Sequence, residues 1–426
     1  MLKNRARADT GMAPPAGRFG ARILDLARAL ARYSELPDGL MCSYFSPAHK
    51  AVAAQLRDWM TAAGLETEID AVGNVVGRYA SAGAAAKTLI VGSHYDTVAD
   101  AGWFDGRLGI LTALVVAEHL HRIGARLPFH LDVIGFAEEE GVRFSAPYLG
   151  SAAVAGRFDE AALQQCDAAG ASLAATLRDE GVDLAAIRAL ARAPETLCGY
   201  LEVHIEQGPV LLQRGLPVGI VTSIAASARF RVAIGGVAGH AGTVPMALRH
   251  DAAAAAAEIV LAVEQRCALG ASLVGTVGQL AVPHGLINVI PGNCELSIDI
   301  RAGDDAARDG AIADILAAIS RIAARRGVTA DVMEIGRHAA VPCAAAIQSA
   351  WAKAIARAGI EPFYLASGAG HDAAMFGGLT DIGMLFVRCG NGGISHSPLE
   401  TVTADDADLA ARILLDILVT LDQPQL

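Results

Sequence analysis

The stretch from Thr88 to Ile110 does most to limit what this chain can become, because it sets a strand, a polar loop and a helix in succession. Thr88–Val91 is β-branched and aliphatic and carries no charge, which predicts a buried strand. His94 and Asp96 follow at its carboxyl end, two residues apart and therefore on one face. A glycine-rich turn then presents Asp105, and Arg107–Ile123 has helical periodicity. Open α/β sheets bind ligands outside the carboxyl ends of their strands, so one histidine and two aspartates gathered there form a candidate site by position as well as by type.

The same grammar recurs along the chain. Ala21–Arg32 is amphipathic, and Ser46–Gly64 reads as a helix with Ser46 as N-cap, Pro47 at its first position and Gly64 as its stop. LETEIDAVGNVVGRY alternates and turns at Gly73-Asn74 like a hairpin. Phe129–Glu138 is a strand running into three consecutive acids, Glu138, Glu139 and Glu140. Asp159–Ala193 is alanine-rich and predicts mostly helix, and Tyr200–Gln207, a strand or short helix, carries His204. From near Val221 the order is strand, helix (Ala247–Gln265), strand, strand, helix (Ala306–Arg326), strand. That pattern makes a four-stranded antiparallel sheet with two helices, an α+β layer able to stand as its own domain. From Val341 the first pattern returns. The reading is an α/β, mixed-sheet catalytic domain (21–220 and 338–426) interrupted by an inserted domain (221–337), with residues 1–20 as a mobile N-terminus. A length of 426 residues, 53% of them hydrophobic, suits two or three cores.

Charge and cysteine usage exclude other classes. The formal net charge is −11 with dispersed basic residues, which argues against a nucleic-acid partner. Seven cysteines, odd in number and without a CxxC pair, argue for a reducing compartment. The first residues have no apolar core like that of a signal peptide, and no uncharged run is long enough to span a bilayer. The expectation is a cytoplasmic protein with no membrane partner.

His94, Asp105, Glu140, His204 and His396 mix imidazole and carboxylate, the ligand set that suits zinc and similar divalent ions. One carboxylate between two ions can bridge them, and such a pair polarises a carbonyl and turns a shared water into hydroxide near neutral pH. A base is still needed for the second proton, and Glu139, beside Glu140, can supply it. Each residue has an ordinary structural reading as well. A lone histidine at a strand end is more often hydrogen-bonded than metal-bound, three glutamates in a row are usually a solvated turn, and Asp105 between Phe104 and Gly106 can be a turn residue. On spacing alone a metal hydrolase is an even choice.

The motifs in order are GSHYDTV, WFDGRLGIL, EEEGVRF, LEVHIEQG, GHAGTVP, NVIPGNCELSIDIR, SGAGHDA and GISHSPLE. Over Ala21 to Asp406 this set resembles the dinuclear zinc amidohydrolases of the hydantoinase/carbamoylase type: N-carbamoyl-L-amino-acid amidohydrolases, β-ureidopropionase and allantoate amidohydrolase, within the aminoacylase and carboxypeptidase clan. The resemblance implies a zinc-peptidase-like fold and two divalent ions per subunit, zinc with manganese, cobalt or nickel as alternatives. It implies His94, Asp105 and His204 around one ion, and Asp105, Glu140 and His396 around the other, with Asp105 as bridge. Glu139 matches the general base and Asp96 the carboxylate that orients His94.

On the substrate side it implies Arg301 against a substrate carboxylate, a task suited to a planar guanidinium. Gln207, Asn288 and His240 match polar groups that hold the substrate. The inserted domain is then both lid and dimer interface, with His240 reaching the partner subunit's active site. His371 matches a family motif but receives no ligand role. The activity implied is hydrolysis of a linear ureido C–N bond by a metal-bridging hydroxide. The substrate stays open among N-carbamoyl-amino acids, β-ureidopropionate, allantoate and ureidoglycolate. Two other readings stand beside it: an aminoacylase or dipeptidase of the same clan, and a catalytically silent dimer that binds amino-acid derivatives.

Overall fold

A computed structural model gives the fold and describes residues 18–83 and 85–421. The chain divides into two compact units. One takes the chain up to Thr222, Cys343–Leu365 and the chain from His371 onward; the other takes Ser223–Pro342 and Ala366–Gly370. The sequence reading had placed Ala366–Gly370 with the catalytic segment 338–426.

In the first unit, strands lie side by side in the order Glu66–Ile69, Val75–Tyr79, His130–Phe136, Thr88–His94, Leu197–Ile205, Ile382–Val387 and Val218–Ile224. The central four are mutually parallel and the flanking pairs antiparallel. The central strands are buried along almost their whole length, as strands covered on both faces must be. Helices Arg18–Leu30, Arg107–Arg122, Ala345–Arg357 and Ala404–Thr420 share one large apolar core with this sheet.

Of the expected mobile N-terminus 1–20, residues 1–17 lie outside the described residues, and Arg18–Gly20 are already helical. The helix starts ahead of the expected Ala21 because Asp408 Oδ1 accepts the main-chain N–H groups of Phe19 and Gly20, at 2.9 and 3.3 Å. Such a cap, supplied from the far end of the chain, satisfies donors that the local sequence leaves orphaned. The expected helical stretch 159–193 holds only short pieces: Glu160–Gln164, Leu173–Asp179 and Leu184–Arg188. Asp159, Ser172 and Asp183 each cap a new start, and Gly170 and Gly181 adopt left-handed backbone between them. Alanine content favours helix, but each cap and glycine restarts it.

The second unit has an antiparallel sheet in which Ala226–Gly235 lies between Asn293–Ala302 and Thr329–His338. The strand expected after the first helix is two pieces, Leu273–Thr276 and Leu280–Ala281, both beside Asn293–Ala302, so the fourth strand is interrupted and the sheet counts five. Two helices cover it, Ala252–Cys267 and Asp305–Arg326. The first begins later than the expected Ala247 because Asp251 caps Ala254 N–H, while Met246–Leu248 is a separate 3₁₀ turn. The strand expected from near Val221 breaks after Ile224, and Val218–Ile224 belongs to the first sheet. All seven cysteines are free. Among the described residues no helix is long and apolar enough to cross a membrane.

Candidate metal centre

Parallel strands end on the same edge of a sheet, and that edge collects the candidate residues. His94 is the last residue of Thr88–His94, the three glutamates follow His130–Phe136, and His204 is the next-to-last residue of Leu197–Ile205. Alternation along this last strand puts Leu201, Val203 and Ile205 into the helix-side core and His204 on the opposite face, with Tyr200 and Glu202. Asp105 comes from the loop before helix Arg107–Arg122, and His396 from the loop after Ile382–Val387. Gly106 has to be a glycine. Its φ is +64°, and a Cβ there would stand 2.5 Å from the His94 ring.

Asp105 turns its two oxygens to different partners. Oδ1 lies 3.3 Å from His204 Nε2 and 3.6 Å from His94 Nε2, and it is buried with no hydrogen-bond partner. Oδ2 lies 3.2 Å from His396 Nε2, which is 3.4 Å from Glu140 Oε1. Gln207 Nε2 and Ser395 Oγ also donate to Oδ2, at 2.8 and 2.6 Å. The result is two triads, His94–Asp105–His204 and Asp105–Glu140–His396, each with its donor atoms within 4.8 Å of one another. Two ligand atoms bound to one tetrahedral zinc at about 2.0–2.1 Å stand about 3.3 Å apart, close to these separations. An orphaned, buried carboxylate oxygen facing two imidazoles fits a divalent cation.

Asp96 joins the pieces. Its Oδ1 lies 3.6 Å from His94 Nδ1, and its two oxygens accept the main-chain N–H groups of Glu139 and Glu140, at 3.1 Å each. Glu139 Oε2 stands 4.0 Å from His94 Nε2, and His94, Glu139 and Glu140 form a further cluster of potential donors, as do Glu202, His204 and His371. Left-handed backbone at the non-glycine residues Glu138, Gln207 and His396 falls within these loops. Such conformations cost on the order of 1–3 kcal/mol each and concentrate at working sites.

The electrostatics follow from packing acids and imidazoles together away from water. Burial disfavours the Asp105 anion, but the imidazoles of His396 and His94 outweigh it and hold its carboxyl well below the usual range. Burial pushes Glu139 well above the ordinary glutamate value, against the pull of His94 and with the charges of Glu140 and Asp372 adding to it. Burial likewise pushes Glu140 up to about 7. His396 rises to about 9 on its hydrogen bond with Asp105, while burial lowers His204 to about 4. One small volume thus holds strongly perturbed acids and bases of both signs, a signature of functional sites.

The structure brings His94, Asp96, Asp105, Glu139, Glu140, His204, Gln207 and His396 together in the first unit. His240, Asn288 and Arg301 belong to the second. His240 is exposed and pairs with Val289 in a two-stranded ribbon, and Ala241 N–H donates to Asn288 O, so His240 and Asn288 are neighbours. Arg301 is not an idle surface charge. Its Nε and Nη2 fork onto Asp299 at 2.9 and 3.3 Å, and Nη1 donates to Gly368 O at 2.9 Å. The sequence reading gave Asn74 only a turn, and passed over Ser395 and Glu400. The last two lie inside GISHSPLE, and only their closeness to His396 hinted at a part in the centre.

Comparison with known proteins gives the family. Residues 90–420 match the model of peptidase family M20/M25/M40. Allantoate deiminase 2 of Glycine max is 39% identical over 423 residues, covering 92% of this chain and 87% of its own. The N-carbamoyl-L-amino acid amidohydrolase of Geobacillus stearothermophilus is 38% identical over 396 residues, covering 93% and 97%. The crystal structure of a hydantoinase/carbamoylase family amidase from Burkholderia multivorans superposes with a TM-score of 0.88 at 30% identity, covering 94% of this chain and 97% of that one. The chain belongs to peptidase family M20/M25/M40, and within it stands with the hydantoinase/carbamoylase amidases.

Proposed function

We propose that this protein is a metal-dependent amidohydrolase that cleaves a linear ureido C–N bond in an N-carbamoyl-L-amino acid or in allantoate. The observation that carries the reading is the divided Asp105 carboxylate, with one oxygen toward His94 and His204 and the other toward His396 beside Glu140. In this reading His94, Asp105 and His204 hold one divalent ion and Asp105, Glu140 and His396 the other, zinc first and manganese, cobalt or nickel as substitutes. Ions bound there would polarise the ureido carbonyl and acidify a water molecule.

The remaining steps fall to side chains. Glu139, buried and raised in pKa, takes a proton from the attacking water and returns it to the leaving nitrogen. Asp96 keeps His94 and the glutamate loop in register. Gln207, Asn288 and Arg301 hold the polar ends of the substrate, Arg301 taking its carboxylate. The active unit is a homodimer formed through the second unit, and His240 of one subunit serves the partner's site. Names of relatives support the substrate class: two at similar identity are an allantoate deiminase and an N-carbamoyl-L-amino acid amidohydrolase.

The test is a panel of N-carbamoyl-L-amino acids, β-ureidopropionate, allantoate, ureidoglycolate, N-acetyl-amino acids and dipeptides, with ammonia and freed amino acid assayed together. Ammonia from an N-carbamoyl-L-amino acid or from allantoate is expected. Amino acid release from the acetylated or peptide substrates alone would make it an aminoacylase or dipeptidase, and tight binding without turnover would make it a binding protein.

A further inference from the structure

Glu400 is buried, yet it belongs to neither donor triad. Its Oε1 accepts the main-chain N–H of Phe104 at 2.8 Å and that of Asp105 at 3.1 Å. Its Oε2 lies 3.0 Å from Ser395 Oγ, and the same hydroxyl donates to Asp105 Oδ2 at 2.6 Å. One carboxylate therefore grips Asp105 at both ends, through its own N–H and, by way of Ser395, through its side-chain oxygen. The loop is shaped to admit it, since a Cβ on Gly102 would stand 2.3 Å from the Glu400 carboxyl carbon. Isolating a carboxylate from water beside the anionic Asp105 is costly unless its hydrogen bonds compensate. Glu400 Oε1 is satisfied by the two N–H groups that aim Asp105, while Oε2 and Asp105 Oδ2 converge on one Ser395 hydroxyl, which ties the two carboxyl groups together through a single shared proton donor.

We propose that Glu400, acting with Ser395, is a positioning residue that fixes the rotation of the Asp105 carboxylate, so that one oxygen faces each triad. The inference rests on the metal reading given above. Without this clamp Gln207 would be the remaining hydrogen-bond donor on Oδ2, and Asp105 could turn about its side-chain bonds and offer both oxygens to His94 and His204. The Asp105–Glu140–His396 triad would suffer most, because His396 is 45% exposed at its side chain and follows Ser395 directly, whereas His94 and His204 are buried.

The experiment measures metal content and affinity, by elemental analysis and chelator competition, alongside kcat and KM. Wild type is compared with Ser395→Ala, Glu400→Ala and Glu400→Gln. Ser395→Ala deletes only a hydroxyl and keeps folding intact where Glu400→Ala fails to fold. Expected are retention of one ion, a drop of about 10–100-fold in affinity for the other, the usual cost of losing a residue that orients a ligand, and a lower kcat with little change in KM. Glu400→Gln keeps an oxygen for the two N–H groups and should recover part of the loss. Equal affinity for both ions in Ser395→Ala and Glu400→Gln as in wild type would overturn the proposal and leave the metal reading standing. A wild-type protein that binds no divalent ion would overturn both.

Discussion

Asp96 accepts the main-chain N–H of Glu139 at one oxygen while that same oxygen lies 3.6 Å from His94 Nδ1. His94 Nδ1 itself bonds the Asp96 main-chain O at 3.1 Å, so one residue sets the ring of one proposed ligand through its carbonyl and the backbone of the proposed base through its carboxylate. Its other oxygen takes the N–H of Glu140. Asp96→Asn keeps the shape but replaces one acceptor with an NH₂ group that must face a donor. We expect metal affinity to fall about 10–100-fold, as for other residues that orient ligands, and a buried N–H left unpaired to cost about 1–3 kcal/mol of stability. Chelator competition and a thermal melt on the metal-loaded protein check both. Unchanged affinity would reduce Asp96 to a loop anchor.

The glutamate run separates by role. Glu139→Gln should keep both ions and substrate binding while kcat falls about 10²–10⁴-fold, the usual worth of a positioned acid–base group. Glu140→Gln should lose or weaken one ion. His94, Glu139 and Glu140 lie close enough to form a donor cluster of their own, so elemental analysis of both variants is the deciding measurement. Equal metal loss in the two would reverse the assignment.

Arg301 offers a more restricted guanidinium than its place at a strand end suggested. The Asp299 fork holds its plane and the bond to Gly368 O uses a third donor, leaving two of its five N–H groups for a substrate. A charged hydrogen bond to a carboxylate contributes about 1.5–3 kcal/mol, so Arg301→Ala should lower kcat/KM roughly 10–150-fold. Arg301→Lys should recover only part, because a point charge does not reproduce the fork. A substrate amidated at its carboxyl should lose as much with wild type and almost nothing further with Arg301→Ala. Equal turnover of acid and amide by wild type would remove Arg301 from recognition.

How much of this was readable from the sequence depended on range. His94, Asp105 and the glutamate run each follow an apolar strand or precede a helix, so local pattern placed them at the sheet edge where they stand. Residues that act on distant backbone gave no such sign. Glu400 works on an N–H 296 positions away. Asn74 read as half of a turn, but its fully buried side chain accepts Ala137 N–H and donates to Gly150 O, tying that turn to the segment that carries Glu138. The same limit explains the helix start at Arg18, set by Asp408, and the break after Ile224, which no glycine or proline announces.

The dimer is the reading furthest from local pattern, and one mixing experiment decides it. His240 is exposed on a short ribbon, and its Nδ1 accepts Gly242 N–H at 3.0 Å. That bond leaves Nε2 available to donate to an oxyanion. If His240 serves the partner subunit's site, His240→Ala and Glu139→Gln homodimers should both be nearly inactive. A heterodimer of the two carries one site with an intact Glu139 and an intact imidazole from across a two-fold axis, since an isologous pair exchanges the same residue in both directions. Co-expression with separable tags should therefore restore activity toward half of the heterodimer's sites, with the KM of wild type. Heterodimers that form and remain as inactive as either parent would place His240 in its own chain's site or outside the reaction. A wild-type protein that sediments as a monomer while fully active would reject the shared site altogether.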